Sequence, residues 1–187
     1  MLLVEIIAVV FSLACVILTV RTTIWNWPVG LIGIFAYAIL FFNSRLYADF
    51  GLQFVFFTQT AFGWWYWLKG DNGEKAKITN IGGKEIIFWG AASIALYLFV
   101  VFILKRYTNS DVAMIDSFVS VGSLLANWML AKKKLESWII WIVVDVIYIG
   151  LFIYKGLYLS SVLYVVFLGL SINGYINWNK KMKYEKI

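Results

Sequence analysis

The chain has 187 residues, of which 63% are hydrophobic and only 14% charged, with a mean hydropathy of +0.84. That is too little charge to cover a soluble domain of this size, so the composition points to a polytopic membrane protein with no room for a second, soluble domain. The net charge of +6 does not indicate nucleic-acid binding, because the basic residues sit in short loops beside apolar runs; with no His and one Cys, an intrachain disulfide, a cysteine metal site and a histidine proton shuttle are excluded.

Seven runs reach the length of about 20 residues that crosses a bilayer. The first, 2–20, has Glu5 as its only early charge, and Ser12-Leu13-Ala14-Cys15 is a poor lipoprotein cleavage site, so it reads as a retained helix rather than a signal peptide. Runs at 24–43 and 47–68 complete a first trio. Residues 69–84 (KGDNGEKAKITNIGGK) form the one long polar loop, followed by a fourth helix at 85–105. Runs at 113–131, 136–154 and 158–178 form a second trio. The expected organisation is a first three-helix repeat at 1–68, a cytoplasmic loop and linker helix at 69–105, and a second repeat with a basic C-terminal tail at 106–187.

The trios repeat each other. Shifted by 111 positions, residues 10–67 align with 121–178 without a gap, and the identities include Ser12/Ser123, Trp27/Trp138, Tyr37/Tyr148, Gly63/Gly174 and Trp67/Trp178. Shared hydrophobicity would not hold Trp, Tyr and Gly in register over such a stretch, so the chain reads as an internal duplication. An odd linker helix lets both halves insert the same way up. The fold class expected is all-α integral membrane, with seven transmembrane helices arranged 3+1+3 as parallel repeats, as in full-length SWEET proteins; such repeats place a transporter's substrate between the halves.

Lys and Arg set the orientation. Twelve of the sixteen (Arg21, Lys69, Lys75, Lys77, Lys84, Lys132, Lys133, Lys134, Lys180, Lys181, Lys183 and Lys186) fall on one side, and Arg45, Lys105, Arg106 and Lys155 on the other. The first side is expected in the cytoplasm, with the N-terminus outside and the C-terminus inside. The Lys132–Lys134 run then needs no ligand.

Trp138, Trp141, Asp145 and Tyr148 are spaced i, i+3, i+7, i+10 and share one face of the sixth helix. Asp145 is the one carboxylate deep inside a span, where a charge is costly unless paired, hydrated or protonated, so it is expected to face the bundle interior. Trp138 and Trp141 beside it suit ring stacking and, for a cationic ring, cation–π attraction. The fifth helix carries a stripe of Asp116, Ser120, Ser123 and Asn127, the serines read as packing residues and Asn127 as a ligand contact. The third carries Gln53, Thr60, Trp64 and Trp67; the seventh carries Asn173 and Asn177. Asp145, Asn127, Asn173 and Gln53 align with Ile34, Val16, Phe62 and Tyr164, so the fold can be built without them, which favours recognition of an asymmetric ligand. Trp27, Trp67 and Trp178 are expected as belt residues at the lipid interface or as packing residues. No phosphate-binding GxxxxGK[ST] loop is present, and catalytic sets that need His are excluded, so an enzyme or ATPase is not expected.

The segments Leu46-Tyr47-Ala48-Asp49, Leu52-Gln53, Gly63-Trp64-Trp65-Tyr66-Trp67, Trp138-Ile139-Ile140-Trp141 and Gly174-Tyr175-Ile176-Asn177-Trp178 together resemble the PnuC family of bacterial vitamin transporters. The resemblance covers nearly the whole chain. It implies an inner-membrane facilitator without cofactor or metal. Its usual substrate would be nicotinamide riboside, a cationic pyridinium on ribose, trapped after entry by a cytoplasmic vitamin kinase. It also implies a site built from Gln53, Asn127, Trp138, Trp141 and Asn173, to which the residues' own pattern adds Asp145 and Tyr148. Sister substrates are thiamine, riboflavin and deoxynucleosides. A binding subunit needing an energising partner is the alternative of a different class. Partners are then the vitamin and membrane lipid, with room for a homo-oligomer and none for nucleic acid.

Overall fold

Backbone inside a bilayer must satisfy its own polar groups, and helices do so within one segment. The computed structural model describes residues 2–43, 47–70, 76–107 and 112–184. Over these residues run seven helices: α1 (Leu2–Val20), α2 (Asn26–Asn43), α3 (Tyr47–Lys69), α4 (Gly83–Tyr107), α5 (Ala113–Ala131), α6 (Ser137–Tyr154) and α7 (Tyr158–Tyr184). The readings on Arg45, Lys75 and Lys186, and on the side chains of Tyr47 and Asp49, lie outside the described residues. Six of the helices are long and apolar enough to cross a membrane. α3, at 23 residues, is long enough, but Gln53, Gln59 and its Trp/Tyr-rich end lower its hydropathy. α7 continues beyond the expected 178, and Met182 in its extension is buried in the cluster at that end of the bundle.

α1 packs on α2 and α2 on α3; in the second half, α5 packs on α6 and α6 on α7. The halves meet along two seams, α3 against α5 and α1 against α7. These six helices close a ring whose contacts are two-fold related. α4 stands outside it against α5 and buries no residue, which suits a helix facing lipid.

The repeat extends to the turns. Thr22 and Lys133, 111 positions apart, are the non-glycine residues with positive φ among the described residues (56° and 53°). At both, the helix ends in the same Schellman pair: Thr22 N–H donates to Thr19 O (2.9 Å) and Thr23 N–H to Leu18 O (3.1 Å), matched by Lys133 to Leu130 (2.9 Å) and Lys134 to Met129 (2.9 Å). A left-handed residue with a side chain costs about 1–2 kcal/mol, so packing enforces this turn in both halves.

Four indoles fill the end of the bundle below these turns. Trp27 meets Trp67 edge-to-face at 5.2 Å, Trp67 lies 5.8 Å from Trp178, and Trp178 meets Trp138 edge-to-face at 5.5 Å. Trp67 Nε1 donates to Ala131 O (3.1 Å) across one seam and Trp178 Nε1 to Thr19 O (3.0 Å) across the other. Trp27, Trp67 and Trp178 are therefore core residues, 2%, 6% and 0% exposed, and not a lipid-facing belt. Gly63 and Gly174 are the reason. Each leaves a helix surface bare where the ring of Trp27 or Trp138 lies against it.

The expected polar loop is also more than a loop. Its described part, 76–82, crosses the same end of the bundle, with Ala76 and Ile78 buried in one cluster with Trp67, Trp138, Trp178, Leu135 and Met182. Thr79 N–H donates to Lys133 O (3.1 Å) and Leu135 N–H to Thr79 O (3.0 Å). Lys133 Nζ donates to Ala76 O (2.7 Å) and Ile81 N–H to Glu136 Oε2 (3.0 Å). Lys133 also stands 4.3 Å over the Trp67 ring, and Lys134 pairs with Glu85 at 2.8 Å. The lysine run thus fastens a strap across both halves.

Candidate substrate site

The ring encloses a cavity of about 440 Å³, lined by all six of its helices. Its wall is itself duplicated. Under the 111-residue shift, Ser12/Ser123, Trp27/Trp138, Tyr37/Tyr148, Phe56/Phe167 and Thr60/Ser171 face it as matching pairs. Five further pairs do not match: Val16/Asn127, Thr19/Leu130, Gly30/Trp141, Ile34/Asp145 and Gln53/Tyr164. The cavity therefore straddles the pseudo-two-fold axis, while the one acid in its described wall, Asp145, lies on the second half.

Trp138, Trp141, Asp145 and Tyr148 all line it, as their shared helix face requires. Asp145 is 2% exposed and accepts a hydrogen bond from Ser171 Oγ at 2.9 Å. Among the described residues no Lys or Arg lines the cavity, so a cation reaching Asp145 comes from outside the wall. Trp138 is 1% exposed and wedged on Gly174, where a Cβ would stand 2.6 Å from three ring atoms; its pose is set by packing. Trp141 is half-buried, and its repeat partner is Gly30. Tyr148 lies against Tyr164, 4.6 Å between centroids, and stacks on Phe152 at 5.4 Å. Gln53 lines the cavity from α3 and Asn127 from α5. The indole N–H groups of Trp27 and Trp138 are buried without a hydrogen-bond partner, a two-fold pair of spare donors in residues of the wall.

Asn173 is not among these residues. It is exposed on the other side of α7, where its Oδ1 accepts from Asn177 Nδ2 at 2.7 Å. α7 turns Ser171 and Gly174 inward, and two residues of helix advance about 200°, which carries Asn173 to the far face. Ser123 reaches the cavity, but its hydroxyl donates to Val119 O of its own helix at 2.8 Å. Wall residues not singled out in sequence include Tyr37, Tyr164 and Ser171. The repeat pointed to each, as partners of Tyr148, Gln53 and Thr60. Gln59 had no such signal: it lies off the Gln53–Thr60 stripe and reaches the site by way of Asn127, whose Nδ2 donates to Gln59 Oε1 at 2.9 Å.

Two helix trios around a solute-sized cavity fit the class of multi-pass membrane transporters. The chain belongs to the family described as nicotinamide mononucleotide transporter, whose model matches residues 2–180; this is a family of transporters, not enzymes. The chain is 26% identical to the nicotinamide riboside transporter PnuC of Escherichia coli, over 94% of its own length and 84% of that protein's. It is 25% identical to the riboflavin/roseoflavin transporter RibM of Streptomyces davaonensis, over 90% and 81%. Among solved structures it resembles the crystal structure of the vitamin B3 transporter PnuC, with a TM-score of 0.75 and 25% identity over 95% of this chain and 81% of that one.

Proposed function

We propose that this chain imports nicotinamide riboside across the bacterial cytoplasmic membrane as a facilitator, by alternating access of a site between its two halves. The observation that carries the reading is an aromatic cavity whose wall, among the described residues, has one buried acid and no basic residue. A pyridinium ring finds stacking surfaces in Trp141 and Trp138 and a counter-charge in Asp145. Asn127, Gln53 and Tyr148 offer partners for the ribose hydroxyls and the carboxamide. The same wall argues for the riboside over the mononucleotide, because a phosphate monoester would meet an acid and no cation. It also suggests how entry becomes one-way: once a cytoplasmic kinase phosphorylates the riboside, the product no longer suits the cavity. The Lys and Arg asymmetry supports an N-terminus outside and a C-terminus in the cytoplasm.

Thiamine, also a cationic aromatic, fits Asp145 for the same reason. Calorimetric titration of the purified chain with nicotinamide riboside, nicotinamide mononucleotide, thiamine, riboflavin and a deoxynucleoside separates these substrates. Saturable binding of nicotinamide riboside, with counterflow in liposomes holding this protein alone, is expected. Uptake that requires ATP, a proton gradient or a second protein would refute the facilitator mechanism.

A further inference from the structure

The two seams of the ring differ in polarity near the cavity. Where α3 meets α5, Gln59 faces Asn127; where α7 meets α1, the equivalent residues are Leu170 and Val16. Gln59 Nε2 donates to the Leu124 main-chain carbonyl at 3.3 Å, and Gln59 Oε1 accepts from Asn127 Nδ2 at 2.9 Å. The direction of this relay is forced. A main-chain carbonyl only accepts, so Gln59 must turn its NH₂ to Leu124 and its oxygen to Asn127, and Asn127 must then turn its NH₂ to Gln59. Asn127 lines the cavity, and what it has left for a ligand is its carbonyl oxygen and one N–H.

We infer that Gln59, on the first half, is a positioning residue that fixes the Asn127 amide of the second half, so that its carbonyl oxygen is free to accept a hydrogen bond from a ligand. Asp145 is likewise an acceptor, with Oδ2 already held by Ser171. Asn127 and Asp145 thus both present acceptors to a ligand. A carboxamide N–H or a sugar hydroxyl can donate to the Asn127 oxygen. The inference rests on the proposed reading for the ligand, but the Gln59 relay can be tested without one.

The experiment compares Gln59→Leu, Gln59→Glu, Asn127→Val and the double variant Gln59→Leu/Asn127→Val. Affinity for nicotinamide riboside is read by calorimetry, and thermal unfolding is read on the ligand-free protein. Gln59→Leu releases the Asn127 amide and should weaken binding about tenfold, the equilibrium weight of one hydrogen bond. Glu, protonated at this depth, can donate to Leu124 and accept from Asn127, so Gln59→Glu recovers most of that loss. A role in packing alone would favour the apolar Leu over Glu. The double variant should bind no more weakly than Asn127→Val. Wild-type affinity in Gln59→Leu, or losses that simply add, would overturn the inference. If the unmodified protein does not bind nicotinamide riboside, the vitamin reading fails instead. The ligand-free unfolding cycle then decides: non-additive shifts support the lock and additive shifts overturn it.

Discussion

Gly63→Ala adds one methyl group at the tightest point in the bundle. A Cβ there would stand 2.2 Å from Cη2 of Trp27 and 2.6 Å from Cζ2 and Cζ3. Carbon atoms rest at about 3.5–4.0 Å, so the indole has to give more than 1 Å. It has little room to do so, being 2% exposed and held edge-on to Trp67. Overpacking of a core costs about 1–3 kcal/mol, and disturbing the Trp27–Trp67 pair adds about 1 kcal/mol. The better helix propensity of Ala returns about 1 kcal/mol. The net loss worked from these is about 1–3 kcal/mol, which for a chain of this length lowers Tm by roughly 2–12 °C. The assay is thermal unfolding in detergent followed by intrinsic Trp fluorescence, with Gly90→Ala as control. A Cβ at Gly90 meets nothing within 4 Å, so that variant should melt no lower than the parent. The clashing atoms belong to the six-membered ring of the indole, so Gly63→Ala/Trp27→Phe should regain part of the loss. If Gly63→Ala melts with the control, the indole is not fixed and the packing argument for the recurring Trp and Gly pairs is wrong.

Two further variants test the cavity wall and the strap. Asp145→Ile copies the repeat partner Ile34 and should fold, while losing affinity for a cationic ligand by at least about tenfold, the weight of a charged hydrogen bond. Asp145→Asn keeps an acceptor for Ser171 and should lose affinity for cationic nicotinamide riboside more than for a neutral ligand; equal losses for both in calorimetry would remove Asp145 as a counter-ion. Ile78→Ala in the strap should cost about 2 kcal/mol, as for a buried aliphatic truncation, and lower Tm by roughly 4–8 °C. A Tm within a degree of the parent would mean that residues 76–82 do not hold the two halves together.

Much of this architecture could be read directly from residue order. The apolar runs set the helices because a bilayer leaves the backbone no other way to satisfy its polar groups. The ungapped register of Trp27/Trp138, Gly63/Gly174 and Trp67/Trp178 identified two copies of one bundle. The period of α6 alone put Trp138, Trp141, Asp145 and Tyr148 on one face. What a face meets is another matter, because it depends on which helices lie beside it. Asn173 and Ser171 are two residues apart in the sequence, yet only Ser171 reaches Asp145. Trp27, Trp67 and Trp178 carry the composition of a lipid-facing belt, and only the bare surfaces of Gly63 and Gly174 reveal that the indoles turn inward. The strap at 76–82 is held through its own main-chain groups, which pair with Lys133, Leu135 and Glu136 and carry no residue signature on the strap, so no residue pattern announced it. Gln59 was as polar as Gln53 in the sequence, and the approach of α3 to α5 alone made it the partner of Asn127. Helices and their duplication are local or periodic properties, and these the sequence determines by itself. The seams, the indole floor, the strap and the direction in which Asn127 points arise from contacts between distant segments, and the tertiary structure alone decides them.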